Sequence, residues 1–414
     1  MSKFKKYMAI VALSLSGGSI YLLPYLKYIF YDQMVDVMQV TNTQMGTMMS
    51  MYAIGCMLLY IPGGILADKL SSRKSLIVSL ILTAILTVLY GVTLNYTMSM
   101  IIWFLLSITT SFVFWTSLIK AIGQIGTAEE QGRMYGIYYA GNGLTQAICN
   151  SIALKVFSQF QDPVQGLKMA VFTLAAANIF SAIMVYFFIE KGEPVQSENN
   201  DEKFSFKEAK NIIKKPLVWL ISGTILCAYS IFSTSTYFTP YLSEVVGISE
   251  ETSSMLAIIR SNIFLVIGAP IGGYIVDKLR STSKWFIIGN LLAAVTFFII
   301  LVIPVENQNL IIGATLVPSL LTYMLYGVAF SIVGECKFPA YVTGTVIGIA
   351  SIVGYLPDFY MSNVCGVLLD NLGGAGYNYI FAMLGGLALL GAGLSFAIRK
   401  KIYNKDGSNK EVVS

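Results

Sequence analysis

Apolar residues in this chain come in long unbroken runs, not in the alternating or one-sided patterns of soluble strands and helices. A helix rises 1.5 Å per residue, so about 20 apolar residues cross the hydrocarbon core of a bilayer. Twelve runs are long enough: 8–31, 44–67, 75–94, 98–120, 133–157, 168–190, 216–243, 253–277, 284–303, 309–333, 339–366 and 376–398. The longest polar stretch, 191–215, separates six runs from six, and 204–213 within it reads as a short helix along the membrane surface. The pattern predicts an all-α polytopic membrane protein. Its parts are an N-terminal six-helix bundle (1–190), a linker (191–215), a C-terminal six-helix bundle (216–398) and a tail (399–414).

Composition agrees with lipid as the main solvent. Of 414 residues 56% are hydrophobic and 12% charged, against about 25% charged in soluble domains. The net charge of +5 is small, and the basic residues lie in short clusters between apolar runs. That is not the basic, aromatic-lined groove of a nucleic-acid binder. The sequence has no histidine, which removes the commonest catalytic base and metal ligand. Cys56, Cys149, Cys227, Cys336 and Cys365 are odd in number and irregularly spaced in or beside apolar runs. They read as packing residues, not as a disulfide or zinc framework. No Walker loop is present, and Gly141-x-Gly143 lies inside a span with no preceding strand. The expectation is a protein that is not an enzyme, with no cofactor and no metal.

Lysine and arginine set the predicted orientation. Lys3, Lys5 and Lys6, the loop with Lys69, Arg73 and Lys74, the loop with Lys278, Arg280 and Lys284, and the tail with Arg399, Lys400, Lys401 and Lys405 all fall on one side. Opposite loops carry Asp32, Asp36, Glu244, Glu250, Glu251, Glu306 and Asp370, with Lys155 and Lys168 as exceptions. Both termini are expected in the cytoplasm. The first run exceeds a signal-peptide core and lacks a small-x-small cleavage site, so it is expected to stay as a span.

The two halves repeat a block. Span 2 ends Gly63-Gly64-Ile65-Leu66-Ala67-Asp68-Lys69-Leu70, and span 8 ends Gly272-Gly273-Tyr274-Ile275-Val276-Asp277-Lys278-Leu279, with Pro62 and Pro270 just upstream. Paired glycines let helices approach closely, and an aspartate at a helix end can pair with a base or with a neighbouring helix N-terminus. This block resembles the loop signature of the major facilitator superfamily, Gly-x-Leu-Ala-Asp-Arg-x-Gly-Arg-Arg/Lys. Gly64, Leu66, Ala67 and Asp68 match, and Lys69 stands for the first base. Ser71 and Ser72 depart from the signature before Arg73 and Lys74 restore charge. In the second half Gly273, Asp277 and Lys278 match. The antiporter signature of a Gly-Pro pair is absent from 136–150.

The resemblance implies two pseudo-symmetric six-helix bundles with the site between them near the midplane, and transport by rocking of one bundle against the other. Spans 1, 4, 7 and 10 would line it, helped by 2, 5, 8 and 11. It also implies a functional monomer. Gly64, Asp68, Lys69, Arg73, Gly273, Asp277 and Lys278 would form a cytoplasmic latch. Arg133 is a candidate partner for Asp68, and Glu335 and Lys337 for Asp277. Compact loops and short tails suggest a bacterial plasma membrane.

Charges inside spans cost about 2.5–3.5 kcal/mol each at a helix centre, so Lys27, Arg260 and Asp358 are the sharpest candidates for substrate binding. Two positives and one negative predict a small organic anion. Asp358 would pair with a base or carry a coupling proton. Two readings stand for Lys27, which either lines the cavity or snorkels to the interface near Asp32 and Asp36. A structural ion pair is the plainer reading of Arg260 with Asp358. Tyr138, Asn142, Gln146 and Asn150 recur every four residues on one face of span 5, either as substrate ligands or as glue between helices. Trp115 with Ser111, Tyr229 with Ser233, and Tyr355 near Asp358 are candidate lining residues. The leading expectation is a secondary transporter of a small organic anion, proton-coupled or exchanging. An exporter of hydrophobic or cationic compounds and a transporter-like solute sensor remain as alternatives.

Overall fold

The computed structural model describes residues 3–125, 131–190, 214–338 and 340–403. Among them the regular elements are helices. Eight stretches are long and apolar enough to cross a membrane, from Ser72–Thr93 to Val346–Ile402. The last holds two rods, and Lys3–Ile20, Asn42–Lys69 and Gln131–Phe157 complete twelve.

Local chemistry sets the helix starts. Asn95 Oδ1 accepts from the Met98 amide at 2.9 Å, and Asp162 Oδ1 from Val164 at 3.0 Å with Pro163 in the first turn. Ser281 Oγ accepts from Lys284 at 3.1 Å. Each side chain satisfies an amide that has no intrahelical partner. Several buried serines inside the spans return their protons to their own helix, as Ser222 does to Val218 O at 2.8 Å and Ser395 to Gly391 O at 2.8 Å. Large apolar side chains stay exposed along spans 3, 6, 9 and 12: Ile85 and Val92, Phe180 and Phe187, Leu292 and Val295, Leu390 and Phe396. In water such patches would be a liability, whereas in a bilayer they meet lipid.

Several spans differ from the uninterrupted rods expected. The first helix stops at Ile20, and a 3-10 turn, Leu26–Tyr28, and a short helix, Tyr31–Met38, follow. Pro24 accounts for the break, since it lacks an N–H and disfavours helix in the residue before it. The eleventh span is likewise two helices, Ala340–Gly354 and Pro357–Leu372, broken ahead of Pro357. The tenth ends at Tyr326 and resumes at Ser331–Glu335. Spans 4, 7 and 8 contain π turns at Ile108–Phe112, Tyr241–Val245 and Ile259–Ile263. The expected surface helix at 204–213 lies outside the described residues.

The chain forms two compact units. One holds the first six spans with Ser249–Val266, the other span 7, spans 9–12 and span 8 from Ile267 onward. The first is centred on Leu13, Leu76, Phe114, Leu118 and Val185, the second on Ile221, Trp285, Phe286, Ile332 and Ile398.

Candidate functional site

In the first unit both predicted cations are enclosed. Lys27 sits in the 3-10 turn created by the Pro24 break and is 2% exposed. Its side chain is therefore enclosed by protein. Tyr25 and Tyr28 flank it in sequence, and their rings stack at 5.4 Å and 3°. Arg260 lies in the π turn of span 8 and is 4% exposed. A π turn shifts the side-chain register, a device frequent at functional sites.

The polar stripe of span 5 forms a continuous chain. Gln146 Nε2 donates to Asn142 Oδ1 at 2.5 Å, and Asn142 Nδ2 to Tyr138 Oη at 3.0 Å. Asn262, two residues beyond Arg260, completes it. Its Nδ2 donates to Gln146 Oε1 at 3.1 Å, and its Oδ1 accepts from Asn150 Nδ2 at 3.3 Å. The sequence reading missed Asn262, although an amide two residues from a buried arginine within an apolar run was a visible signal. Near the start of the same segment, Gln33 Nε2 donates to Glu250 Oε2 at 3.0 Å. Trp115 packs against the unit's apolar core. Ser111 meets Cys56, with Oγ and Sγ 3.0 Å apart.

In the second unit Tyr229 Oη donates to Asp358 Oδ2 at 2.6 Å. The Tyr355 ring stands edge-on to Tyr229 at 4.6 Å, and Tyr326 lies 5.5 Å from Tyr229. Phe232 stacks on Tyr326 at 4.6 Å. Tyr355 and Asp358 lie on either side of the Pro357 break, yet both reach Tyr229. The result is a carboxylate bordered by aromatic rings, with Tyr355 36% exposed.

The duplicated block separates into a packed glycine and an open one. A Cβ at Gly272 would run into the Met324 backbone, whereas at Gly273 nothing lies within 4 Å. The close approach expected of both glycines is therefore made by Gly272, with Gly268 one turn away against Tyr323. Asp277 and Lys278 are exposed. Glu335, expected as a partner of Asp277, instead accepts from Ser281 Oγ (2.6 Å), the Ser283 amide (2.6 Å), Ser283 Oγ (2.9 Å) and Tyr403 Oη (3.0 Å). Two carboxylates repel, and the free donors at the start of span 9 are the better partners. Burial, with the Glu335 carboxylate alongside, raises the Tyr403 phenol above its ordinary value. Burial also pushes the Cys336 thiol up to about 12. Arg73 donates to the Tyr186 carbonyl and lies over its ring, 4.7 Å from the centroid. The side chains of Asp68, Lys69 and Arg133, and the surroundings of Gly64, lie outside the described residues.

The sequence profile of the Major Facilitator Superfamily matches residues 8–362. The chain belongs to this superfamily. It is a membrane-spanning transporter of a small solute and not an enzyme. The inner membrane protein YqcE of Escherichia coli (strain K12) is 29% identical over 418 residues, covering 98% of each chain. YihN, an inner membrane protein of the same organism, is 28% identical over 408 residues and 97% of each chain. Among solved structures, a bacterial homologue of the human lysosomal transporter Spinster, inward-facing and unoccupied, has a TM-score of 0.78 at 15% identity, covering 96% of this chain and 98% of that one. A D-xylose–proton symporter has a TM-score of 0.74 at 15% identity, covering 99% of this chain and all of that one. These likenesses establish the twelve-helix fold and leave the solute open.

Proposed function

We propose that this superfamily member is a secondary transporter of a small organic anion, with Lys27 and Arg260 as the anionic group's anchors. The enclosure of both cations carries the reading. A charge inside a span is costly and marks a functional position, and two enclosed cations suit an anionic solute better than a neutral or cationic one. Asn142 and Gln146, with Trp115, Tyr229 and Tyr355 as lining, make up the remaining proposed contacts. Asp358, held by Tyr229, is the proposed carrier of a coupling proton, since the chain has no histidine. Loop charges support cytoplasmic termini, and the two inner-membrane relatives support a bacterial cytoplasmic membrane. The rocking units are proposed as 1–190 and 216–398, joined by 191–215, with Asp68, Lys69 and Arg133 in the cytoplasmic latch.

The test is thermal unfolding of the purified protein against a panel of organic anions, cations and neutral sugars. It is repeated on Lys27→Ala and Arg260→Ala. Binding to the folded state raises stability by about 2.7 kcal/mol at a hundredfold excess over Kd. One anion class should stabilise the wild type and fail in both variants. Stabilisation by anions that survives in both would remove Lys27 and Arg260 from the site.

A second reading, export of hydrophobic cations, has its own observation: the Asp358 carboxylate among the rings of Tyr229 and Tyr355. Aromatic faces attract cations. Stabilisation by hydrophobic cations, lost in Asp358→Asn and kept in Lys27→Ala, would favour it over the anion reading.

A further inference from the structure

A lysine of span 4 stands apart from the site of Lys27 and Arg260. Lys120 stands in the last turn of Phe114–Gly123, the second helical segment of span 4. Its Nζ is enclosed by protein with no hydrogen-bond partner among the described residues. Ser117, three residues earlier and on the same helix face, is fully buried, and its Oγ is also without a partner there. Ser75 Oγ is likewise without a partner among the described residues, but many other buried serines behave differently. Ser14, for example, donates to Ile10 O at 2.9 Å and Ser16 to Ala12 O at 2.6 Å. A charged donor and a neutral donor thus stand one turn apart, both enclosed and neither with a partner among the described residues. The carbonyls at this helix end offer only partial negative charge, and an ammonium removed from water is strongly disfavoured unless an acceptor meets it. An oxyanion fits the pair, because its oxygens accept from an ammonium and a hydroxyl together. A cation does not.

We propose that Lys120 and Ser117 form an oxyanion-binding point in span 4, separate from Lys27 and Arg260, that takes a carboxylate or phosphate group. As a station for the transported solute this rests on the organic-anion reading, but oxyanion binding is measurable without transport. By loop charge the point lies toward the cytoplasmic end of the span, where the solute would be held on that side.

The experiment follows the unfolding midpoint of the full chain in detergent during titration with inorganic phosphate and with acetate, at constant ionic strength set by chloride. Wild type, Lys120→Met, Lys120→Arg, Ser117→Ala, Lys27→Ala and Arg260→Ala are compared. The wild-type midpoint should rise with at least one oxyanion. Apparent affinity should fall by about tenfold or more in Lys120→Met, since one charge-assisted hydrogen bond is worth that much. It should fall less in Ser117→Ala and persist in Lys120→Arg. Without oxyanion Lys120→Met should unfold no earlier than wild type, because it removes an enclosed charge that has no partner among the described residues. A wild type indifferent to both oxyanions overturns the proposal. So does a Lys120→Met variant that keeps the full response, or one that unfolds early without oxyanion and responds normally. If Lys120→Met does not fold, Ser117→Ala decides, and unchanged affinity there overturns the proposal. Loss in Lys120→Met with Lys27→Ala and Arg260→Ala unchanged keeps the point and sinks the assigned anchors; the opposite pattern does the reverse.

Discussion

Alanine at Gly272 is expected to damage the C-terminal unit, while alanine at Gly273 is expected to be harmless. The two glycines are neighbours in the duplicated block, but they face different surroundings. A Cβ at Gly272 would overlap the carbonyl oxygen of Met324 and lie 2.9 Å from its carbonyl carbon and 3.0 Å from its Cα. Carbon atoms rest at about 3.5–4.0 Å, and all three obstacles are backbone of span 10. No rotamer change relieves the clash, so the two helices must part. Parting also loosens Gly268, whose own Cβ would lie 2.7 Å from that of Tyr323. It further strains the hydrogen bond from Trp285 Nε1 to the Met324 carbonyl, 3.3 Å long. Overpacking costs about 1–3 kcal/mol, and a rigid obstacle places Gly272→Ala at the upper end. Gly273→Ala meets nothing within 4 Å and should gain about 0.5–1 kcal/mol by restricting the unfolded backbone. The variants should therefore differ by about 3 kcal/mol. Denaturant unfolding in detergent, followed by tryptophan emission, measures that gap. Because Trp285 is buried and bonded at the contact, Gly272→Ala should also shift its emission in the folded protein. Equal stability of the two variants, or greater damage at Gly273, would refute the reasoning.

Glu335→Ala should cost about 2–4 kcal/mol, because several donors to a charged acceptor lose it at once; a loss under about 0.5 kcal/mol in the same assay would show that water replaces the carboxylate. Tyr403 gives a pH prediction. Its phenol is raised in the folded state, so its contribution is complete below the unfolded pKa of about 10 and is lost as pH rises through the folded value. Wild type should therefore lose stability on the alkaline side relative to Tyr403→Phe, and parallel curves would contradict this. Asn262→Leu should destabilise by about 1–3 kcal/mol by orphaning the Gln146 and Asn150 amides, and Gln146→Leu in the same background should add less than it does alone. Strict additivity in that double-mutant cycle would deny the amide chain. Cys336, with its thiol at about 12, should resist maleimide at neutral pH, which mass spectrometry checks.

Much of the architecture was legible because lipid imposes a length rule that the apolar runs obey. The interruptions were less so, and their causes differ. The breaks near Pro24 and Pro357 were readable in principle, since each proline sits inside a run counted as continuous. The π turns at Ile108–Phe112, Tyr241–Val245 and Ile259–Ile263 carry no composition of their own. They follow from how neighbouring helices pack, which periodicity in a single strip of sequence does not encode. That is why Arg260 was recognised as a buried charge while Asn262, in the same π turn and bonded to Gln146, was passed over.

The side-chain candidates show a similar division. Rarity picks out a residue type: a lysine, an arginine or an aspartate in an apolar run must be met by something, and Lys27, Arg260 and Asp358 were found on that ground. Rarity does not say what meets it. Tyr229, which donates to Asp358, is one of twenty-five tyrosines, and only the fold singles it out. Glu335 makes the converse point. Its position between spans suggested an electrostatic partner for the Asp277 region, but the backbone around Ser281 and Ser283 presents free helix-start donors to it. Such donors belong to every helix and mark no residue type. Lys120 escaped the sequence reading for a related reason. A lysine in the last turn of a span is usually a helix-end or interface cation, and only the enclosure of its Nζ, one turn from Ser117 and likewise without a partner among the described residues, separates it from that class.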